Sequence, residues 1–293
     1  MSDKVQVSII GTGRMGAALA AAILRGGYTL HAWNRTAAKL EPLVAQGARP
    51  AASTLEAVQA SQVVILNVRD YATSDALLRT SHVQAALRGK TIVQLCSGSP
   101  GQAREAARWA GKNGIDYLDG AIMATPNFIG EPSGTVLYSG SRLVFERFKA
   151  LLLTMGGNTQ FVGEDPGHAS ALDAALLFQM WGTLFGALQG FAICRAEGLP
   201  SGDYATHLRA IRPMVEGALA DAVDRVVNGR LAADDSTLAT LETHYGSFRQ
   251  VLALHEERRL DDAIPRAMEQ VFLRAMEAGH GQDDFAVLSR MIG

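Results

Sequence analysis

Six residues, Gly11-Thr12-Gly13-Arg14-Met15-Gly16, constrain this chain more than any other stretch. They follow a short apolar run, Val5 to Ile10, and precede Ala17 to Leu24, whose alanine and leucine content is that of a helix. In a strand that turns through glycines into a helix, each glycine has a job. Gly11 permits the tight turn, Gly13 lets backbone come close to a pyrophosphate, and Gly16 allows the helix to pack closely on the strand. The N-terminus of the helix, which Arg14 and Met15 open, then favours phosphate charge. The motif alone is weak evidence, and its place inside a βαβ unit is what gives it weight.

That unit continues. Leu30 to Trp33 reads as the next strand, and further buried strands are expected at Val63 to Val68, Thr91 to Leu95 and Tyr117 to Ile122. Helix-like intervals, such as Thr54 to Ala60 and Gln102 to Lys112, lie between them. Alternation of this kind predicts a mostly parallel, doubly wound sheet, because parallel neighbours need crossover connections. Thr135 to Ser139 and Thr159 to Val162, with a helix near Leu143 to Met155 between them, are expected to complete it.

After Val162 the pattern changes. A long helix is expected to about Glu197, followed by helices near Pro213 to Val227, Thr237 to Arg259 and Pro265 to Ala278, with Asn228-Gly229 as a helix stop. The fold class is therefore α/β. Residues 1–163 are expected to form a dinucleotide-binding Rossmann domain, and residues 164–293 a long interdomain helix leading into an all-α domain.

Composition narrows the partners. In 293 residues there are 27 basic and 29 acidic side chains, and no block of like charge marks a nucleic-acid surface. The two cysteines, Cys96 and Cys194, form neither a disulfide framework nor a metal cluster, so no metal is expected and a reducing cytoplasm fits best. The first residues lack the pattern of a secretory signal. Ala174 to Cys194 carries no charge and is about long enough to cross a bilayer, yet it holds Gln179, Thr183 and Gln189 and follows Asp173. It is read as a buried helix of a soluble protein, with no membrane partner.

The end of the second strand bears on which dinucleotide is bound. An NAD site usually has an Asp or Glu roughly 20 residues beyond the glycines, to hold the ribose 2′-hydroxyl. Here the stretch is Trp33-Asn34-Arg35-Thr36, with Lys39 one turn on. An acid would repel a 2′-phosphate, whereas the Arg35 guanidinium binds one, with Asn34, Thr36 and Lys39 beside it, so NADPH is expected. The alternative, that Arg35 and Lys39 are solvated surface charges, stays open at this point. Asn67-Val68 and Cys96-Ser97-Gly98-Ser99-Pro100 end two other strands and are expected to line the same cleft. Ser97 is either a hydroxyl beside the nicotinamide and substrate or a serine closing a turn with Gly98.

The glycine motif, Trp33-Asn34-Arg35-Thr36, Leu118-Asp119-Gly120-Ala121-Ile122-Met123-Ala124-Thr125-Pro126 and Leu137-Tyr138-Ser139-Gly140 together carry a resemblance over nearly the whole chain. The sequence resembles imine reductases and reductive aminases, within the β-hydroxyacid dehydrogenase superfamily and its 6-phosphogluconate dehydrogenase-like members. The C-terminal Gly279 to Phe285 stretch also resembles that superfamily's ending. Hydroxyacid dehydrogenases of this kind place a lysine about one and a half turns into the interdomain helix, as general acid and base. Asp173 stands at the matching position, and imine reductases resembling this chain have Asp or Tyr there, proposed to supply a proton when hydride reduces C=N.

Asp173 is conspicuous without the resemblance, being the one acid at the start of an apolar helix. Burial would keep it protonated near neutrality, and a bound iminium would pull it back. An ordinary helix-start Asp stabilised by the dipole is the plain alternative. Leu177 and Trp181 follow on roughly the same side, Trp181 about 12 Å along the axis. Related reductive aminases often have tyrosine at the Trp181 position, so a hydroxyl role does not transfer. The resemblance also places Ile122 and Met123 in the substrate pocket, where core packing is the alternative for each.

Gly182, Gly186 and Gly190 form a flat stripe on the long helix. The resemblance implies a homodimer with interlocked C-terminal helices. It also implies NADPH-dependent reduction of imines or iminium ions, preferably cyclic, to amines, with reductive amination as an extension. The competing activities are those of a β-hydroxyacid dehydrogenase-like oxidoreductase and of a non-enzymatic NADPH-binding protein. His280 is read as a helix-end histidine without a catalytic part.

Overall fold

The computed structural model describes residues 5–292. In chain order the first elements are β1 (Val7–Ile10), α1 (Arg14–Arg25), β2 (Leu30–Trp33), α2 (Glu41–Val44), β3 (Arg49–Pro50), α3 (Thr54–Gln59) and β4 (Val63–Leu66). Next come α4 (Tyr71–Leu78), α5 (Ser81–Leu87), β5 (Thr91–Gln94), α6 (Pro100–Lys112) and β6 (Asp116–Ile122). Then β7 (Thr135–Gly140), α7 (Arg142–Met155), β8 (Asn158–Gly163) and the long α8 (His168–Ala196) follow. The chain ends with α9 (Ser201–Ala210), α10 (Arg212–Asn228), α11 (Leu241–Arg258) and α12 (Ala263–Glu277). By contact it divides into two compact units at Gln179/Met180, inside α8.

The first unit is built on one eight-stranded sheet in the order β3-β2-β1-β4-β5-β6-β7-β8. All pairs are parallel except β6 with β7. The central strands are continuous apolar runs because helices cover both faces. Within β4 the side chains alternate: Val63 and Ile65 enter a core with α1 and α7, whereas Val64 and Leu66 enter a core with α3 to α6. Burying four such side chains contributes about 1.5–3 kcal/mol each, and the strand has no solvated face to give up. Strand order reverses about β1, which has β2 on one side and β4 on the other. A crevice opens at the carboxyl ends of strands at such a switch point.

Sequence and structure differ in the small elements. The two-residue β3 is too short for a periodicity signal, and α4 and α5 had no expectation of their own. The signal for α4 was its cap: the Asp70 side chain accepts from Thr73 N at 2.8 Å.

The second unit is helical. A core of Leu231, Leu241, Phe272, Ala275, Val287 and Leu288 joins the segment after α10, with α11 and α12, to the C-terminal residues. Gly229, in the left-handed region at φ 66°, ends α10 as Asn228-Gly229 indicated. Arg225, fully buried, is neutralised by Asp221, Asp234 and Asp284, which ties α10 to the segments that follow it. His280 Nδ1 meets Asp283 Oδ2 at 2.7 Å, a local partner in keeping with a structural part.

α8 departs from expectation. Its composition is that of a buried helix, but within this chain only Ala169 and Ser170 of it are buried. Among the described residues it is the one helix long and apolar enough to cross a membrane by length and composition. Phe178, Trp181, Leu184, Phe185 and Leu188 are all more than half exposed. The reason is geometric: apolar residues run all round the helix, and neighbours on one side cover only part of such a surface.

Candidate functional site

The crevice at the switch point is lined from both sides. Gly11 follows β1 with φ +96° and donates to Trp33 O at 2.9 Å, joining the turn to the end of β2. A Cβ on Gly11 would stand 2.4 Å from Asn67 O, and one on Gly16 would stand 2.1 Å from Gly11 O, so both positions need glycine. Gly13 is different. It precedes α1 without a side-chain cap, and a Cβ there would meet nothing within 4 Å. The first N–H groups of α1 therefore lie open next to empty space, which is the geometry that accepts a pyrophosphate. Thr12, buried between these glycines, has a hydroxyl without a hydrogen-bond partner among the described residues.

A cleft of about 390 Å³ runs from Gly11 and Gly13 past Asn34, Arg35, Thr36 and Lys39. Asn34 is committed to the loop itself: its Oδ1 accepts from Thr12 N (3.1 Å) and its Nδ2 donates to Thr36 O (3.0 Å). It braces the glycine turn against the end of β2. Arg35 and Lys39 are exposed and form no ion pair among the described residues, so their charge is available to an anion. The lining also holds residues that sequence reasoning passed over: Arg69, just before α4, and Thr73, Ala76 and Leu77 on it. These features fit a dinucleotide with an extra phosphate on its ribose.

Asn67 and Val68 lie on the boundary with a second cavity of about 300 Å³ and line both. Asn67 is held by its Nδ2 bond to Leu95 O (2.7 Å), and Val68 N donates to the Cys96 thiol at 3.3 Å. Burial pushes that thiol up to about 12, so Cys96 stays a neutral packing group. Around the second cavity stand Met15, expected at the cofactor, with Ser97, Ile122 and Leu177, expected at the substrate, and Asp173. Asp173, part-buried one turn after Ser170, has its carboxyl raised by burial.

Other expected residues lie elsewhere. Met123, just past the end of β6, packs against Ala121, Leu137 and Ala169, and the cavity is lined there by Gly120, Ala121 and Ile122 instead. Arg14 is exposed at the start of α1 and lines neither space. Trp181 belongs to the second unit, where it is half-exposed. Sequence reasoning also gave no role to Asp119, fully buried in β6 near this cavity. The signal was present, because it is the one charged residue in the apolar run Tyr117 to Ile122.

Comparison with known proteins agrees with this geometry. Residues 6–163 match the family of the NAD binding domain of 6-phosphogluconate dehydrogenase. Residues 165–293 match the NADPH-dependent reductive aminase-like C-terminal domain. An imine reductase from Myxococcus stipitatus in complex with NADP+ is 53% identical, with a TM-score of 0.95 over 98% of this chain and 100% of that one. A reductive aminase from Aspergillus terreus in complex with NADPH and ethyl levulinate is 32% identical, with a TM-score of 0.87 over 99% and 100%. The NADPH-dependent reductive aminase of Aspergillus oryzae is 32% identical over 96% of this chain and 95% of its own length. Each overlap is nearly complete and so includes α8, which is therefore an element of the shared fold. With a dinucleotide crevice in its first half and a reductive aminase-like second half, the chain belongs to the imine reductase and reductive aminase family.

Proposed function

We propose that this protein is an NADPH-dependent imine reductase that converts cyclic imines or iminium ions to amines, with reductive amination as an extension of the same chemistry. The observation that carries the reading is the position of Asp173, in a cavity bounded by the same Asn67-Val68 pair that bounds the dinucleotide cleft. Residues 1–163 serve as the cofactor domain and 164–293 as the substrate and dimerisation domain.

Gly11, Thr12, Gly13 and the N–H groups of Arg14 and Met15 would hold the pyrophosphate, while Arg35, Thr36 and Lys39 would hold the 2′-phosphate with Asn34 bracing their loop. NADPH, when bound, supplies the hydride. Asn67, Val68 and Ser97 orient the nicotinamide end, and Ile122 and Leu177 exclude water from the substrate. Asp173 gives its proton to the imine nitrogen as the carbon receives hydride, and regains one from solvent. With an iminium no proton is needed, and the carboxylate orients the cation.

Burial helps the first role. Because the Asp173 carboxyl is raised, a larger fraction is protonated near neutrality than for an exposed Asp, and turnover of a neutral imine falls as pH climbs through its pKa. The same acid suits alcohol oxidation poorly, since no amine base stands in its place.

The exposed apolar face of α8 supports a homodimer whose C-terminal helices interlock. Tyr204 fills the space beside Gly190, whereas Gly182 and Gly186 have nothing within 4 Å of an added Cβ and are open to a second copy. Both cysteines are free, which fits a cytoplasmic protein, and recovery from a secreted fraction would count against that location.

Three measurements test these assignments. Asp173→Ala is expected to lower kcat/KM for a cyclic imine by about 10²–10⁴-fold, with 3-hydroxy acids turned over by neither form. Unchanged imine turnover removes the acid role, and vigorous hydroxyacid oxidation removes the reaction class. Arg35→Ala is expected to weaken NADPH about 10–100-fold while leaving NADH within a few-fold, since a charge-assisted contact is worth roughly 1.5–3 kcal/mol. Equal losses for both would refute the 2′-phosphate role. Sedimentation at micromolar concentration is expected to give twice the chain mass of 31.2 kDa, and a monomer would refute the dimer.

A further inference from the structure

Close to the cavity that carries Asp173 lies a second carboxylate that no step above uses. Asp119, in the middle of β6, is fully buried and makes no ion pair among the described residues. Three hydroxyls serve it instead. The Tyr71 hydroxyl from α4 and the Tyr117 hydroxyl (3.3 Å) donate to Oδ1, and Ser170 Oγ from α8 donates to Oδ2 at 2.7 Å. The site is built to take this group: a Cβ on Gly98 would fall 2.2 Å from the Tyr71 ring, so glycine beside Ser97 gives that tyrosine its room.

A buried carboxylate without a cation is costly, and an apolar residue would fill a central strand at less expense. Asp119 is therefore best explained by what it holds. Ser170 is buried in the opening turn of α8, lines the same cavity as Asp173, and lies three residues before it on the same helix face. We propose that Asp119 is a positioning residue for Asp173: it seats Ser170, and with it the opening turns of α8 that carry the acid, and it holds a negative charge beside that acid. The inference rests on the reading of Asp173 as the proton donor.

The groups facing Asp119 are Tyr71 from α4, Tyr117 on its own strand, Cys96 after β5, and Ser170 and Asp173 from α8. Burial raises both tyrosines and the thiol, which stay neutral near pH 7. Asp119 itself is pushed up to about 6, first by burial, with the hydroxyl bonds opposing and the Asp173 charge adding to the rise. The two carboxyls thus form the pair that titrates. A negative Asp119 disfavours ionisation of Asp173, so removing that charge lowers the proton affinity of Asp173 and moves the alkaline loss of activity to lower pH.

The test uses the full protein with NADPH and a five-membered cyclic imine, comparing the parent with D119N and S170A. Carbon-13 titration of aspartate carboxyls, with D173N to assign the resonance, reads Asp173 without reference to turnover. D119N is expected to lower kcat about tenfold and to shift both the Asp173 titration and the alkaline limb down by about 0.5–1 pH unit. S170A, which cuts the seat and leaves the charge, is expected to lower kcat about tenfold with the limb in place. Either an unmoved Asp173 titration in D119N or a kcat within twofold of the parent in S170A overturns the proposal. If D119N does not fold, the S170A result decides alone. Full turnover by D173N would instead remove the proton-donor reading, while the carbon titration still reports whether Asp119 acts on Asp173.

Discussion

The absence of a side chain at position 11 is the constraint on which the site depends. Any carbon there would lie 2.4 Å from the carbonyl oxygen of Asn67, so the loop after β1 closes over the end of β4 only because the residue is glycine. Once closed, it puts the free end of α1 at the mouth of the crevice and leaves Asn67 and Val68 shared between two spaces. One space fits a phosphate-rich ligand and the other holds a carboxyl group. The parallel sheet supplies the rest, because every strand from β1 to β5 delivers its carboxyl end to that edge.

Much of this was legible in the sequence because its causes are local. Glycines at 11, 13 and 16 have different jobs, and their spacing after an apolar run announces them. Apolar runs of four to six residues mark strands covered on both faces, and Asn228-Gly229 marks a helix end by its backbone needs alone. An acid opening an otherwise apolar helix is unusual enough to single out Asp173. The basic character of Arg35 and Lys39 follows from side-chain chemistry, and their freedom from ion pairs among the described residues is added by the fold.

What was not legible depends on contacts between distant parts of the chain. Nothing near Asp119 in sequence announces Tyr71 or Ser170, which lie 48 and 51 residues away. The commitment of the Asn34 amide to Thr12 and Thr36 likewise needs the loop to be closed first. The packing of Met123 against Leu137 and Ala169 likewise depends on parts of the chain far from it in sequence. The exposure of α8 was unreadable for a further reason: all-round apolarity says that a helix is to be covered and does not say by which chain.

In the proposed reaction hydride and proton meet at a C=N bond in the cavity bearing Asp173. The most direct measurement is isotope transfer, using NADPH deuterated at its transferring position with a cyclic imine and mass and NMR analysis of the product. One deuterium is expected on the former imine carbon and none on nitrogen after exchange with water. An unlabelled amine, or no amine at all while the cofactor is consumed, would contradict it.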